Sequence, residues 1–162
     1  FNSSYDALQY LSILAKKKDW NLIYKPHPLC ISEEKEIPDN VILVKNCDIN
    51  ELIDISDVTV TILSQVGYVS TIRKKATVML GYIQLKGKGC CYEAFEKENI
   101  DNVIEKAIVE GFTKEQEKQF LKHIAQMTKY YLYDNGGQQE LHFGRSLENL
   151  GEYEDEVYYM GI

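Results

Sequence analysis

Asn21-Leu22-Ile23-Tyr24-Lys25-Pro26-His27-Pro28 is an apolar run that ends in a cation and an imidazole set between two prolines. Each proline fixes its own φ and pushes the residue before it out of the α region. Lys25 and His27 are therefore both biased towards extended backbone at the end of a strand. In an open α/β sheet, the carboxyl ends of the strands are where ligands bind. A rigid Lys/His pair at that edge suits an anion, most simply a phosphate. The plainer reading is a proline-rich corner between strand and loop that carries a surface histidine. This short stretch alone does not separate the two.

Upstream of it, Ser3 or Ser4 is placed to cap a helix, with Asp6 favourable to the dipole in the first turn. Leu8, Leu11, Leu14 and Ala15 recur at helical spacing, and Lys16 to Lys18 close the last turn. The first strand is expected over 20–24. Downstream, 29–40 reads as a polar loop with a solvated charge run, Glu33-Glu34-Lys35-Glu36. Residues 41–44 form a short apolar strand of the kind buried in parallel sheets. Asp48 caps a helix over 49–55, with Leu52, Ile53 and Ile55 expected to face inward. A third strand over 57–63, rich in β-branched residues, carries Ser64-Gln65-Val66-Gly67 to the edge reached by Lys25 and His27. A helix follows over 66–73.

The fourth strand is expected over 76–80 and ends at Gly81. Lys86-Gly87-Lys88-Gly89 reads as a flexible basic loop whose glycine spacing matches neither a P-loop nor a dinucleotide fingerprint. A fifth short strand covers 90–92. Helices are expected over 100–110, 113–131 and 138–150, the second opened by a Thr113/Gln116 capping box. Asn135-Gly136-Gly137 separates the last two. Strands alternating with helices indicate βαβ units and a mostly parallel sheet flanked by helices. The expected fold class is α/β, a single Rossmann-like domain over 1–150. Residues 151–162 form an acidic, tyrosine-rich tail with Tyr153, Tyr158 and Tyr159.

A chain of 162 residues is long enough for one core, and 44% hydrophobic content indicates a folded protein. The net charge of −7 argues against a general nucleic-acid partner, which needs a basic face to displace counterions. It does not forbid a local basic pocket. No apolar run reaches the roughly 18 residues that span a bilayer, and the first residues do not read as a signal peptide. A cytoplasmic protein is expected. The chain opens Phe1-Asn2-Ser3 and enters a helix at once, as a piece of a longer protein would, so half of an active site is expected elsewhere. The cysteines at 30, 47, 90 and 91 have no CxxC spacing, and reduced thiols are expected. A metal site built from them with His27 is the minor reading; neither metal nor cofactor is expected. Asn2-Ser3-Ser4 matches the glycosylation acceptor pattern, read here as chance.

Three strand ends thus converge on one edge. The first offers Lys25 and His27, the third Ser64, Gln65 and a helix N-terminus, and the fourth Gly81. Free backbone N–H groups at a helix start favour anions, and Gly67 allows close backbone approach. Each charge-assisted contact is worth ~1.5–3 kcal/mol. Three or four would hold a pyrophosphate or a nucleotide phosphodiester at micromolar strength before ordering costs.

Lys25-Pro26-His27-Pro28, then Ser64-Gln65-Val66-Gly67 and a helix, then Lys75-Ala76-Thr77-Val78-Met79-Leu80-Gly81, resembles the C-terminal half of GT-B glycosyltransferases. Within them the pattern is similar to the bacterial capsular polysaccharide biosynthesis group. That group includes Kdo transferases of capsule assembly and shares its His-Pro motif with bacterial sialyltransferases. The resemblance covers residues 5–92, and more faintly the helices to 145. It implies the donor-binding domain of an enzyme that uses a nucleotide-sugar, with a CMP-sugar favoured. His27 would be the catalytic group that contacts the donor phosphate and supports its departure. Lys25, Ser64, Gln65, Gly67 and Gly81 would complete the phosphate-binding set. Neutralising charge that develops on the leaving group is the chemistry required. The base and the saccharide acceptor site would lie on the absent N-terminal domain, so the fragment alone would transfer nothing. The whole protein would work in the cytoplasm, at the inner face of the membrane if it associates there peripherally.

Two positions depart from the family pattern. Where it usually reads Gly-x-Glu-Ala, this chain has Gly67-Tyr68-Val69-Ser70, so contacts carried by that carboxylate do not transfer. The usual Lys-Pro-Val is Lys75-Ala76-Thr77-Val78, a change with structural consequences only. The competing readings are a GT-B-like sugar-nucleotide epimerase half and a degenerate, non-catalytic module of a polysaccharide assembly complex. Among the remaining residues, His123 is expected on a helix surface between Lys122 and Gln126. His142, with Phe143-Gly144-Arg145, reads as structural. Glu93 reads as a ribose contact or a solvated helix start. The scattered tyrosines read as half-buried packing.

Overall fold

The computed structural model describes residues 1, 3–26 and 36–130. The elements are α1 (Ser4–Lys18), β1 (Leu22–Tyr24), β2 (Val41–Leu43), α2 (Ile49–Ile55), β3 (Val58–Thr61), α3 (Val66–Ile72), β4 (Ala76–Met79), β5 (Tyr92–Glu93), a 3₁₀ turn at Lys97–Asn99, α4 (Ile100–Glu110) and α5 (Lys114–Tyr130). The architecture is α/β, with short parallel sheets flanked by helices. The expected mostly parallel sheet is present as two ladders. β1 pairs with β2, with Ile23 opposite Ile42, while β3, β4 and β5 form the second, with Val60 opposite Val78 and Val78 opposite Tyr92. His27, the loop 28–35, the helix expected over 138–150, His142 and the tail lie outside the described residues.

Several strands are shorter than expected because their ends serve other hydrogen bonds. Asp19 adopts φ 56°, and the Trp20 amide donates to Ala15 O at 2.9 Å, so Trp20 completes the end of α1 instead of opening β1. Cys90 and Cys91 lie in bends, and β5 begins after them. The cap assignments hold. Ser3 accepts from the Asp6 amide at 3.1 Å, and Asp48 accepts from the Asn50 amide at 2.8 Å. In the capping box, the Gln116 amide donates to Thr113 Oγ1 at 3.1 Å while the Thr113 amide donates to Gln116 Oε1 at 3.0 Å.

β4 positions everything else. Ala76, Val78 and Leu80 point into a core with Leu14 of α1, Tyr92 of β5, and Ile100, Ile104 and Ala107 of α4. The alternate residues, Thr77 and Met79, face α3 and α5. Period-two alternation with both faces covered is the signature of a buried parallel strand. α3 lies close on this second face because its inward residues are small: Gly67, Ser70 and Thr71 are all buried. Their hydroxyls are internally paired. Thr77 Oγ1 donates to Ser70 Oγ at 2.8 Å, and Thr71 Oγ1 donates to Gly67 O at 2.8 Å. Lys75 Nζ donates to Asp54 O at 2.7 Å and to Ser56 O at 3.2 Å, closing the end of α2, while Arg73 pairs with Asp54.

One expectation for α2 fails. Ile53 is buried, but Ile55 is 74% exposed. Residues two apart on a helix project about 200° apart and cannot share one inward face. Among the described residues, no helix is long and apolar enough to cross a membrane, and no group of three or more His, Cys, Asp or Glu side chains is placed to hold a metal ion.

Thr59 Oγ1 on β3 is a buried side-chain oxygen without a hydrogen-bond partner among the described residues. Thr59→Val removes that unmet polar group and is expected to raise stability by about 1 kcal/mol in urea denaturation. Thr77→Val, which strips the hydroxyl that donates to Ser70, is expected to lower it by a similar amount.

Candidate functional site

β3 and β4 run parallel, so their carboxyl ends emerge side by side. The Leu80 amide donates to Thr61 O at 2.8 Å, and the next residue, Gly81, lies directly against Ile62. A Cβ on Gly81 would come within 2.6 Å of the Ile62 carbonyl oxygen, so only glycine lets these two exits approach so closely. At the β3 exit the Ser64 amide donates to Thr61 Oγ1 at 3.3 Å, and the Gly67 amide donates to Ser64 O at 3.1 Å. Ser64 Oγ accepts from the Val66 amide at 3.2 Å, which leaves the hydroxyl proton to donate elsewhere. Gln65 is exposed, caps nothing with its side chain, and accepts the Tyr68 amide on its carbonyl at 2.9 Å. The strand-turn-helix unit expected around Ser64 is therefore present, beside Gly81.

The remaining sequence-predicted residues are distributed differently. Lys25 is half-buried and follows β1 in the other ladder. Among the described residues, no hydrogen bond or ion pair links it to Ser64, Gln65 or Gly81. His27 lies outside the described residues. Gly67 is buried: a Cβ there would meet Ile83 Cδ1 at 3.0 Å and Thr61 Cγ2 at 3.4 Å, so its glycine serves the close seating of α3. Glu93 Oε1 accepts from the Gly87 amide at 2.6 Å and fixes the glycine loop to the end of β5. That loop is tied down elsewhere too. Leu85 is fully buried, and the Lys86 Nζ sits 3.5 Å above the Tyr82 ring, which packs edge-on to Phe95.

Sequence reasoning missed a buried polar group on the inner side of α3. His123 of α5 was expected at the surface, yet it is buried, with Nε2 2.8 Å from Tyr68 Oη. Met127 Sδ lies 3.5 Å from the same phenol. The signal was in the helical spacing. Phe120, His123, Ile124 and Met127 stand at i, i+3, i+4 and i+7 and form one stripe, whereas the exposed neighbour Lys122 lies on another face. Burial, and then the proximity of Cys90 and Cys91, pushes the Tyr68 phenol up to about 12. Burial, aided by the Lys88 ammonium, pushes the His123 imidazole below its ordinary value. Both partners are thus held neutral at pH 7, and the pair ties α3, which begins at the Ser64 turn, to α5.

A histidine whose folded value is depressed makes the unfolded chain the better proton acceptor at mildly acidic pH. Its contribution is complete above the ordinary value of 6.5 and is lost as pH falls through the window below it. Urea midpoints are expected to drop between neutral pH and about pH 5. His123→Gln, which keeps a side-chain hydrogen-bonding group but cannot titrate, is expected to flatten that drop.

No family model matches the chain, and neither does any curated protein or solved structure.

Proposed function

We propose that the chain is the donor-nucleotide domain of a glycosyltransferase, a Rossmann-like unit of the GT-B C-terminal type that takes a nucleotide-sugar, with a CMP-sugar favoured. The observation that carries this reading is the junction at the carboxyl ends of β3 and β4. Ser64, its turn and the start of α3 sit there beside Gly81, whose missing side chain keeps the two exits together. Parallel strand ends of this kind are where α/β folds bind ligands. The free hydroxyl proton of Ser64 suits a phosphate oxygen, and Lys25 at the end of β1 supplies a cation for the same charge.

His27 supports departure of the nucleoside phosphate by neutralising the negative charge that grows on it, and Ser64 holds the same group. The attacking hydroxyl belongs to the saccharide acceptor, which with the catalytic base is assigned to an N-terminal domain of an enzyme of bacterial surface polysaccharide synthesis. At Val69 the family carboxylate is absent and the following Ser70 is bonded to Thr77, so donor contacts on this helix are left to the turn before it.

Thermal unfolding in a panel of CMP, CDP, UDP, AMP and GMP tests the reading. A ligand at a hundredfold excess over its Kd adds about 2.7 kcal/mol of stability, so one cytidine nucleotide is expected to raise the Tm by several degrees. His27→Ala is expected to abolish that rise without altering the Tm of the free protein. No shift with any nucleotide, or an equal shift in the variant, contradicts the assignment.

A further inference from the structure

Neighbouring residues in a regular strand point to opposite faces of the sheet. Cys90 and Cys91 do not. Both are buried in the same cluster, with Met79, Leu85 and Phe120, because residues 88–91 run through bends before β5 begins at Tyr92. Gly87 and Gly89 adopt φ 69° and 70° just before them, and the bond from the Gly87 amide to Glu93 holds the loop in that path. Thr71 Oγ1 lies 3.5 Å from Cys91 Sγ.

We propose that Cys90 and Cys91 form a reversible two-electron redox site that closes to a vicinal disulfide on reaction with a small peroxide. The roles of the two sulfurs follow from their surroundings. The neighbouring Cys90 thiol holds the Cys91 thiol below its ordinary range, so Cys91 is the sulfur that ionises first. Its Cys91 neighbour, together with burial, pushes Cys90 up and keeps it protonated. Cys91 is also the more accessible, at 9% exposure against 1%. The Cys91 thiolate attacks one peroxide oxygen, the O–O bond breaks, and hydroxide leaves, giving a sulfenic acid. The Cys90 sulfur then attacks the Cys91 sulfur; the S–S bond forms, the S–O bond breaks, and the Cys90 proton leaves with the oxygen as water. In sum, two thiols and one hydrogen peroxide become one disulfide and two waters, the leaving hydroxide taking up the proton that Cys91 had released.

Reversibility has a geometric cause. Adjacent Cα atoms across a trans peptide are about 3.8 Å apart, less than a disulfide ordinarily spans. Closing the ring must turn the backbone between the two residues, and a strained disulfide is readily reduced. The turned peptide adjoins Tyr92, which pairs with Val78 of β4, so oxidation reaches the edge of the second ladder.

The test uses the whole chain carrying Cys30→Ser and Cys47→Ser, which leaves both site cysteines intact. After brief treatment with a small excess of hydrogen peroxide, free thiols are alkylated in denaturant and the chain is cut with trypsin. Peptide 89–97 is expected to be lighter by two hydrogens, without alkyl label, and to take two labels after reduction with dithiothreitol. A peptide that remains doubly labelled overturns the proposal. So does one that carries added oxygen on a cysteine in place of the bond.

Discussion

β4 is buried on both faces, and that constraint organises the molecule. A strand with no solvent-facing side must find apolar or internally satisfied partners above and below. Val78 and Leu80 meet α1 and α4, which supply a conventional apolar layer. Thr77 and Met79 meet α3 and α5 across a layer that is half apolar and half hydroxyl-bearing. In that second layer each buried hydroxyl of Ser70, Thr71 and Thr77 is bonded to another group. Such a polar layer is stabilising only when its groups are paired, and it then specifies one seating of the helix. The position of α3, and so of the Ser64 turn at its start, follows from this pairing.

The two ends of the second ladder have different chemistry. At the carboxyl edge, backbone and small residues dominate: the Ser64 turn, Gly81, and the loop pinned by Glu93. Behind it, on the inner side of α3, lie Tyr68, His123, Cys90 and Cys91, titratable groups largely removed from water. The proposed donor phosphate belongs to the first region. The second holds groups whose protonation burial has moved, and whose changes in charge or bonding act on the same helix and strand.

Much of the fold was legible because local signals agreed with the global pattern. The α2 and α4 spans, the Ser3, Asp48 and Thr113 caps, and the existence of five short strands alternating with helices all follow from capping chemistry, β-branched runs and alternation. The failures have physical causes. Ile55 was given an inward face that helix geometry denies it beside Ile53. Trp20 was given to a strand although the amide is committed to ending α1. His123 was judged by the polar Lys122 and Gln126, when its stripe is set by Phe120, three residues before it, and Met127, four after it. The bend that places Cys90 and Cys91 on one side leaves no mark in periodicity; it comes from glycines in left-handed conformations and from a single bond between Glu93 and a backbone amide. For the site, the sequence marked the Ser64 turn and Gly81 as strand-end features, and it could not show that Gly67 is filled by Ile83 and Thr61.

The central claim is that the exits of β1 and β3, on separate ladders, serve one anion. A two-dimensional amide NMR titration with CMP tests it most directly, because it reports on each backbone position separately. The account predicts saturable shifts at Lys25, His27, Ser64, Gln65 and Gly81 that share one dissociation constant. Shifts confined to one ladder, or none at millimolar nucleotide, would contradict it.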